Sequence, residues 1–196
     1  MNFYKFENLY PFLGQLREHA GGMLREIEEI DAAKWTDWPE KHLYKDHEWR
    51  IIPFLGFGME IRQSRELCPH TYDLAMALPG VQTALISRVP AGMSIEPHRG
   101  WAELANNVLR CHVVLQTNKK CSLTVDGERR KVRDGQILVF DDSKWHHAVN
   151  DGGTDKIVLL LDFPRPRRIP PGESTVEKTP ELLEFLESFS DSRRTA

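Results

Sequence analysis

Beyond Gly80 the chain is cut into short β-type runs: Val81 to Val89, Val108 to Gln116, Ser122 to Val125, Gln136 to Phe140 and Ile157 to Phe163. Asp126-Gly127, Asp134-Gly135 and Asp151-Gly152 punctuate them, and Asp-Gly is favoured where a tight hairpin turn needs positive φ. This pattern predicts an antiparallel barrel or jelly roll, a mainly β fold with flanking helices. Ile157 to Phe163 is apolar at almost every position, as expected of a strand covered on both faces.

Helical patterns stand on either side of these runs. Leu16, Met23, Ile27 and Ile30 recur at roughly helical spacing between Leu13 and Ile30, which predicts an amphipathic helix packed outside a sheet. A shorter helix is expected at Thr71 to Leu78, stopped by Pro79-Gly80 for steric and entropic reasons. Past the barrel, Pro164-Arg165-Pro166-Arg167-Arg168 and Pro170-Pro171-Gly172 read as a solvated, proline-rich connector. Thr179 to Phe189 reads as a terminal amphipathic helix with Pro180 near its first turn. The expected organisation is one jelly-roll domain over 1–166, with its barrel at about 81–166, followed by the connector and helix over 167–196.

Composition narrows the partners. A chain of 196 residues, 40% of them hydrophobic, is long enough for one domain with its own core. Its formal charge of −3 lacks the basic footprint of a nucleic-acid protein, so a small molecule or a peptide is the expected partner. Cys68, Cys111 and Cys121 follow no metal or redox spacing, which fits a reducing compartment. Met1 to Tyr10 lacks a leader pattern, and no run approaches the ~18 apolar residues of a membrane span; a soluble cytoplasmic protein is expected. Oligomeric state is not legible.

The polar residues that interrupt the β pattern are the informative ones. His98 stands at a strand start, Arg110 and His112 share a strand face through their two-residue spacing, Phe140-Asp141-Asp142-Ser143 leads to His146, and Lys156 opens the last apolar strand. Two histidines far apart in sequence, with cations on neighbouring strands, suit a metal ion and an anionic co-substrate inside a barrel. Oxygen-activating iron sites are usually held by two imidazoles and a carboxylate. The usual acid lies two residues after the first histidine, and here that position is Gly100. Alternatives stay open residue by residue. His147 rivals His146, because adjacent strand residues face opposite ways. Lys156 also reads as a strand-entry gatekeeper, Ser87 as a barrel-lining polar residue, and Asp141 and Asp142 as turn caps. Trp101 and Trp145 either flank a pocket mouth or simply pack. His19, His42, His47 and His70 lack metal-like company and read as structural.

Together, Ile86-Ser87, Pro90-Ala91-Gly92, Ile95 to Gly100, Arg110-Cys111-His112, Phe140-Asp141-Asp142-Ser143 with His146, and Asp162 with Arg165-Pro166 resemble the aspartyl/asparaginyl β-hydroxylase family. The resemblance is dense from Ser87 to Pro166. It implies an Fe(II)- and 2-oxoglutarate-dependent dioxygenase on a double-stranded β-helix, which uses O₂ to hydroxylate an unactivated C–H bond while 2-oxoglutarate becomes succinate and CO₂. It further implies that His98 and His146 ligate iron and that Gly100 fits the family pattern, with water held by Asp142 filling the vacant position. Ser87, Arg110 and His112 would surround the co-substrate. Two departures stand out. Lys156 replaces the arginine that usually holds the distal carboxylate, giving a point charge in place of a fork. Val108 replaces an arginine associated with acidic substrates. The Trp101 to Asn107 loop is also longer than the common pattern, as if to shape a different pocket. An amino acid, a peptidyl residue or a small metabolite is the implied substrate. The rival readings are a halogenase using the vacant ligand position, a non-catalytic cupin-like binding or sensor protein, and a cupin isomerase or hydrolase with another metal.

Overall fold

The computed structural model describes residues 1–44 and 48–191, so His47 lies outside the described residues. In chain order the strands are β1 (Phe3–Tyr4), β2 (Thr36–Asp37), β3 (Arg50–Gly56), β4 (Met59–Glu60), β5 (Thr83–Val89), β6 (Met93–His98), β7 (Val108–Gln116), β8 (Cys121–Val125), β9 (Glu128–Lys131), β10 (Ile137–Phe140), β11 (His146–Asn150) and β12 (Lys156–Pro164). The α-helices are α1 (Phe6–Leu9), α2 (Leu16–Glu28), α3 (Pro69–Met76), α4 (Ala102–Ala105) and α5 (Pro180–Asp191). The strands form two antiparallel sheets, a large one ordered β1-β10-β7-β12-β5-β3-β2 with β4 on β3, and a small one ordered β6-β11-β8-β9.

Two cores follow from the period-2 geometry of the large sheet. Along β12, Ile157, Leu159, Leu161 and Phe163 join Leu16, Met23 and Ile27 of α2 and Tyr72 and Ala75 of α3 in an outer cluster. Val158 and Leu160 join Leu123, Val125 and Ala148 of the small sheet in an inner one. This double burial is why β12 carries almost no polar interruption. The expected amphipathic helix runs over α2, and the second helix starts two residues before Thr71, at Pro69, where the missing N–H costs nothing.

The turns divide. Asp126 (φ 49°) and Gly127 (φ 79°) are both left-handed between β8 and β9, the requirement of a type I′ two-residue hairpin. Gly135 is left-handed at 69°. Gly152 is not left-handed, so Asp151-Gly152 departs from the expectation. There Asn150 Oδ1 organises the chain by accepting from Gly152 N at 3.3 Å and from Asn118 Nδ2 at 2.8 Å. The runs 93–98, 128–131 and 146–150 are strands whose outer faces are polar, so hydrophobic periodicity did not mark them. Beyond β12, Arg167, Arg168, Pro170 and Pro171 are exposed as a solvated connector requires. Ser174, by contrast, is buried and donates to Gly100 O at 2.5 Å, and Leu182 of α5 enters the inner core.

Candidate active site

The site begins with a fault in the small sheet. Ala148 pairs with Ile95, yet His146 pairs with His98, so two steps along β11 correspond to three along β6. The extra residue is a β-bulge, a device that re-aims side chains. It falls beside Pro97, which has no N–H to lose from the ladder. Because of it His98 and His146 share the inner face, with ring centroids 4.2 Å apart. His147 is half-buried on the alternate register and does not line the cavity.

Both rings are oriented by the backbone. His98 Nδ1 lies 2.8 Å from Glu96 O and His146 Nδ1 lies 2.8 Å from Lys144 O. A carbonyl only accepts, so each Nδ1 carries the proton and each Nε2 keeps its lone pair. Burial, with His146 alongside, lowers His98 to about 3. Burial lowers His146 to about 4, with Arg110 adding to the effect. Phe140 stands edge-on to His146 at 5.5 Å.

The space in front of Gly100 is taken by Asp142. A Cβ at Gly100 would lie 1.8 Å from Asp142 Oδ2 and 2.8 Å from Ala105 Cβ, and Gly100 N donates to Asp142 O at 2.9 Å. The carboxylate absent from position 100 is thus replaced in space by the one at position 142. Asp142 Oδ1 lies 3.3 Å from His146 Nε2 and 2.5 Å from Arg110 Nη1, in an ion pair that is out of line for a hydrogen bond. Burial raises Asp142 to about 6 against the opposing pull of Arg110. The turn-capping role expected of either aspartate belongs to Asp141, whose Oδ1 accepts from Ser143 N at 3.1 Å and Ser143 Oγ at 2.6 Å.

Arg110 is fully engaged. Its Nε and Nη2 donate to Asp162 at 2.9 and 3.0 Å while Nη1 faces Asp142. Burial works against its charge, but the two carboxylates prevail and hold its pKa above the ordinary value. Lys156 is the opposite case. It is 2% exposed, and among the described residues its ammonium has neither hydrogen-bond nor ion-pair partner. Burial lowers it to about 8. That burial removes the gatekeeper reading, which Asp155 and Arg88 fulfil instead by pairing at 2.6 Å.

Lys156 shares its cavity with Ser87, His112, His98, His146 and Arg110. His112 Nδ1 is buried without a partner, and burial followed by Lys156 depresses its pKa. Ser87 Oγ accepts from Trp49 Nε1 at 2.9 Å, which leaves its own proton free for an acceptor in the cavity. Trp49 was missed in the sequence, where nothing in its surroundings marks it. Trp101 is buried and lines a neighbouring cavity that also takes in Arg110, Trp145 is 53% exposed, and Arg99 lies over the Trp145 ring at 5.4 Å. His42 and His70 are exposed and His19 half-buried, His19 and His70 standing 5.3 Å apart.

Chemically, the arrangement is a convergence of lone pairs. Two neutral Nε2 atoms face one cavity, that of His146 3.3 Å from Asp142 Oδ1. Arg110 Nη1 serves the carboxylate but no hydrogen-bond donor serves the imidazole lone pairs, an arrangement that suits a cation. Among the described residues no three His, Cys, Asp or Glu side chains form a complete metal cluster. A cation here would therefore find two imidazoles among the protein's side chains.

Residues 17–166 match the family described as aspartyl/asparaginyl beta-hydroxylase. An ornithine lipid ester-linked acyl 2-hydroxylase of Rhizobium tropici is 33% identical over 172 residues, covering 82% of this chain and 60% of that one. Aspartate beta-hydroxylase domain-containing protein 2 of Mus musculus is 30% identical over 128 residues, 61% of this chain and 36% of its own. The chain thus spans less than two thirds of the length of these relatives. Among solved structures, a Pseudomonas putida prolyl-4-hydroxylase superposes with a TM-score of 0.50 at 15% identity, covering 76% of this chain and 88% of that one, a likeness of the jelly-roll fold. Among the described residues no helix is long and apolar enough to cross a membrane.

Proposed function

The chain belongs to the aspartyl/asparaginyl β-hydroxylase family, and from that premise we propose that it is an Fe(II)- and 2-oxoglutarate-dependent dioxygenase that hydroxylates an unactivated C–H bond. The observation that carries this reading is the pair of inward Nε2 lone pairs beside Asp142, in one cavity with an unpartnered buried lysine. Iron bound there would supply the redox chemistry that couples O₂ and oxidative decarboxylation of 2-oxoglutarate to C–H hydroxylation.

The chain's own residues do the rest. His98 and His146 hold the metal through Nε2, and the Glu96 and Lys144 carbonyls keep that nitrogen deprotonated. Lys156 takes the distal carboxylate of 2-oxoglutarate, which restores to the ammonium the partner that the fold withholds. Ser87 donates its free hydroxyl proton to the same anion, and His112 lines the wall beside it. Arg110 acts by position, setting Asp142 against His146 and leaving a co-substrate little of its guanidinium. A halide near Gly100 would meet the Asp142 carboxylate, so hydroxylation is favoured over halogenation.

The substrate is a small molecule or a peptidyl residue, and it is uncharged at the reacting end. Val108, where a cation for an acidic side chain would stand, is buried at 2% exposure. The acyl group named for the Rhizobium tropici relative is one instance of such a substrate.

The test is succinate formation from 2-oxoglutarate by protein loaded with Fe(II) and ascorbate, set against His98→Ala. Succinate well above the variant's level is expected; equal levels across broad substrate pools would leave only a binding protein.

A further inference from the structure

A second cavity lies on the far side of Arg110. It shares Arg110 and Leu160 with the polar site, so those side chains form the wall between the two. Its walls are otherwise almost wholly carbon: Trp38, Trp101 and Leu85 on the inside, and Leu182, Phe185 and Leu186 of α5 on the outside. Polar groups gather at the inner end. Thr83 is paired across the sheet with Asp162, the partner of Arg110, and its hydroxyl is buried with no hydrogen-bond partner.

The apolar walls are held in place by one carboxylate. Glu40 is 5% exposed and accepts from Trp38 Nε1 at 3.4 Å, from Trp101 Nε1 at 3.1 Å and from Thr179 Oγ1 at 3.1 Å. Thr179 Oγ1 in turn accepts from Leu182 N at 3.3 Å, capping α5. The tryptophans continue the wall toward the polar site, since Trp101 stacks on Trp38 at 5.7 Å and Trp38 on Trp49 at 4.4 Å, and Trp49 donates to Ser87. A buried acid that ties two indoles to the start of a helix maintains a shaped apolar space against the tendency of such a space to collapse.

We propose that this cavity binds an aliphatic chain of the substrate, with α5 as its outer wall and the Thr83 hydroxyl bonded to the hydrogen-bonding group from which the chain extends. The word substrate rests on the oxygenase reading; the chain site rests on the cavity alone. Carbon walls repay burial of methylene groups in proportion to area, whereas a charged or amide-rich side chain would lose its water there without partners. The unpartnered hydroxyl asks for an acceptor at the end that Arg110 shares with the polar site, and so places the oxidised carbon near the chain's polar attachment and away from its tip.

The probe is ω-bromododecanoate, held below the concentration at which it self-associates, because bromine quenches indole fluorescence at short range. The protein carries Trp145→Phe, which removes the exposed indole outside the cavity. Saturable quenching is expected, reversed by dodecanoate and untouched by N-acetylaspartate. Gly56→Leu should weaken it by on the order of tenfold or more, since Gly56 lines the cavity and a Cβ there meets nothing within 4 Å. Leu104→Phe, at another lining position, should do the same if Gly56→Leu fails to fold. Leu183→Gln, on the outer face of α5 at 45% exposure, should leave quenching unchanged. Absence of saturable quenching in protein that binds Mn(II), or quenching of undiminished affinity in both filled variants, overturns the chain site. Quenching without succinate above the His98→Ala level upholds the chain site and overturns the oxygenase reading.

Discussion

Two buried cations inside the same barrel are treated in opposite ways. Arg110 is held by two carboxylates in three contacts, whereas Lys156, equally enclosed, faces an unpartnered imidazole nitrogen and a serine with a proton to give. Burying a charge without a partner is costly, so a fold that pairs one cation and leaves the other bare concentrates that cost at Lys156. In the proposed function Arg110 belongs to the scaffold and Lys156 to the co-substrate.

The contrast breaks most visibly at Arg110. Arg110→Met strands Asp142 and Asp162 in the interior, and a loss of about 3–5 kcal/mol is expected from urea unfolding. A loss under ~1 kcal/mol would mean that the carboxylates are not dependent on it. Lys156→Met should do the reverse, leaving the metal-free protein as stable or more so while weakening 2-oxoglutarate binding by about 100-fold, or ~2.7 kcal/mol, in a Mn(II)-loaded titration. Unchanged binding would move the co-substrate elsewhere.

The same lysine sets a pH signature. Its folded pKa of about 8 lies below the ordinary lysine value of 10.5, so between these values the unfolded chain binds more protons and stability rises with pH. The destabilisation is fully present below about pH 8 and is relieved toward the ordinary lysine range, by up to roughly 3 kcal/mol. The difference between wild-type and Lys156→Met unfolding curves should show that rise; a flat difference would mean the amine is already paired. The smallest effect concerns Gly100, which receives the acid that Arg110 positions. Gly100→Ala drives a methyl into Asp142 and Ala105 and should cost about 1–3 kcal/mol by overpacking, read as a lowered Tm. A neutral substitution would show that Asp142 is free to swing away.

Much of the site was legible one residue at a time. His98, Arg110, His112, His146 and Lys156 interrupt an apolar pattern, and polar residues on inward strand positions announce themselves by that interruption. The convergence of His98 on His146 was not legible, because it turns on the bulge beside Pro97, and a bulge is a property of two paired strands; the choice of His146 over His147 turns on which face of β11 is buried. Nor was the engagement of Arg110: its spacing to His112 shows a shared face, but Asp162 and Asp142 reach it from another strand and from a turn. Glu40 and Trp49 carry no local signature, their most distant hydrogen-bond partners lying 139 and 38 residues away.

The chain's own order of residues determined the jelly-roll class and the identity of the inward polar groups, because alternation and turn chemistry act over a few neighbours. The tertiary structure alone decided which of those charges are satisfied, what fills the space before Gly100 and what walls the second cavity. Partnership of buried groups depends on register and close approach between distant segments, and no local pattern encodes either.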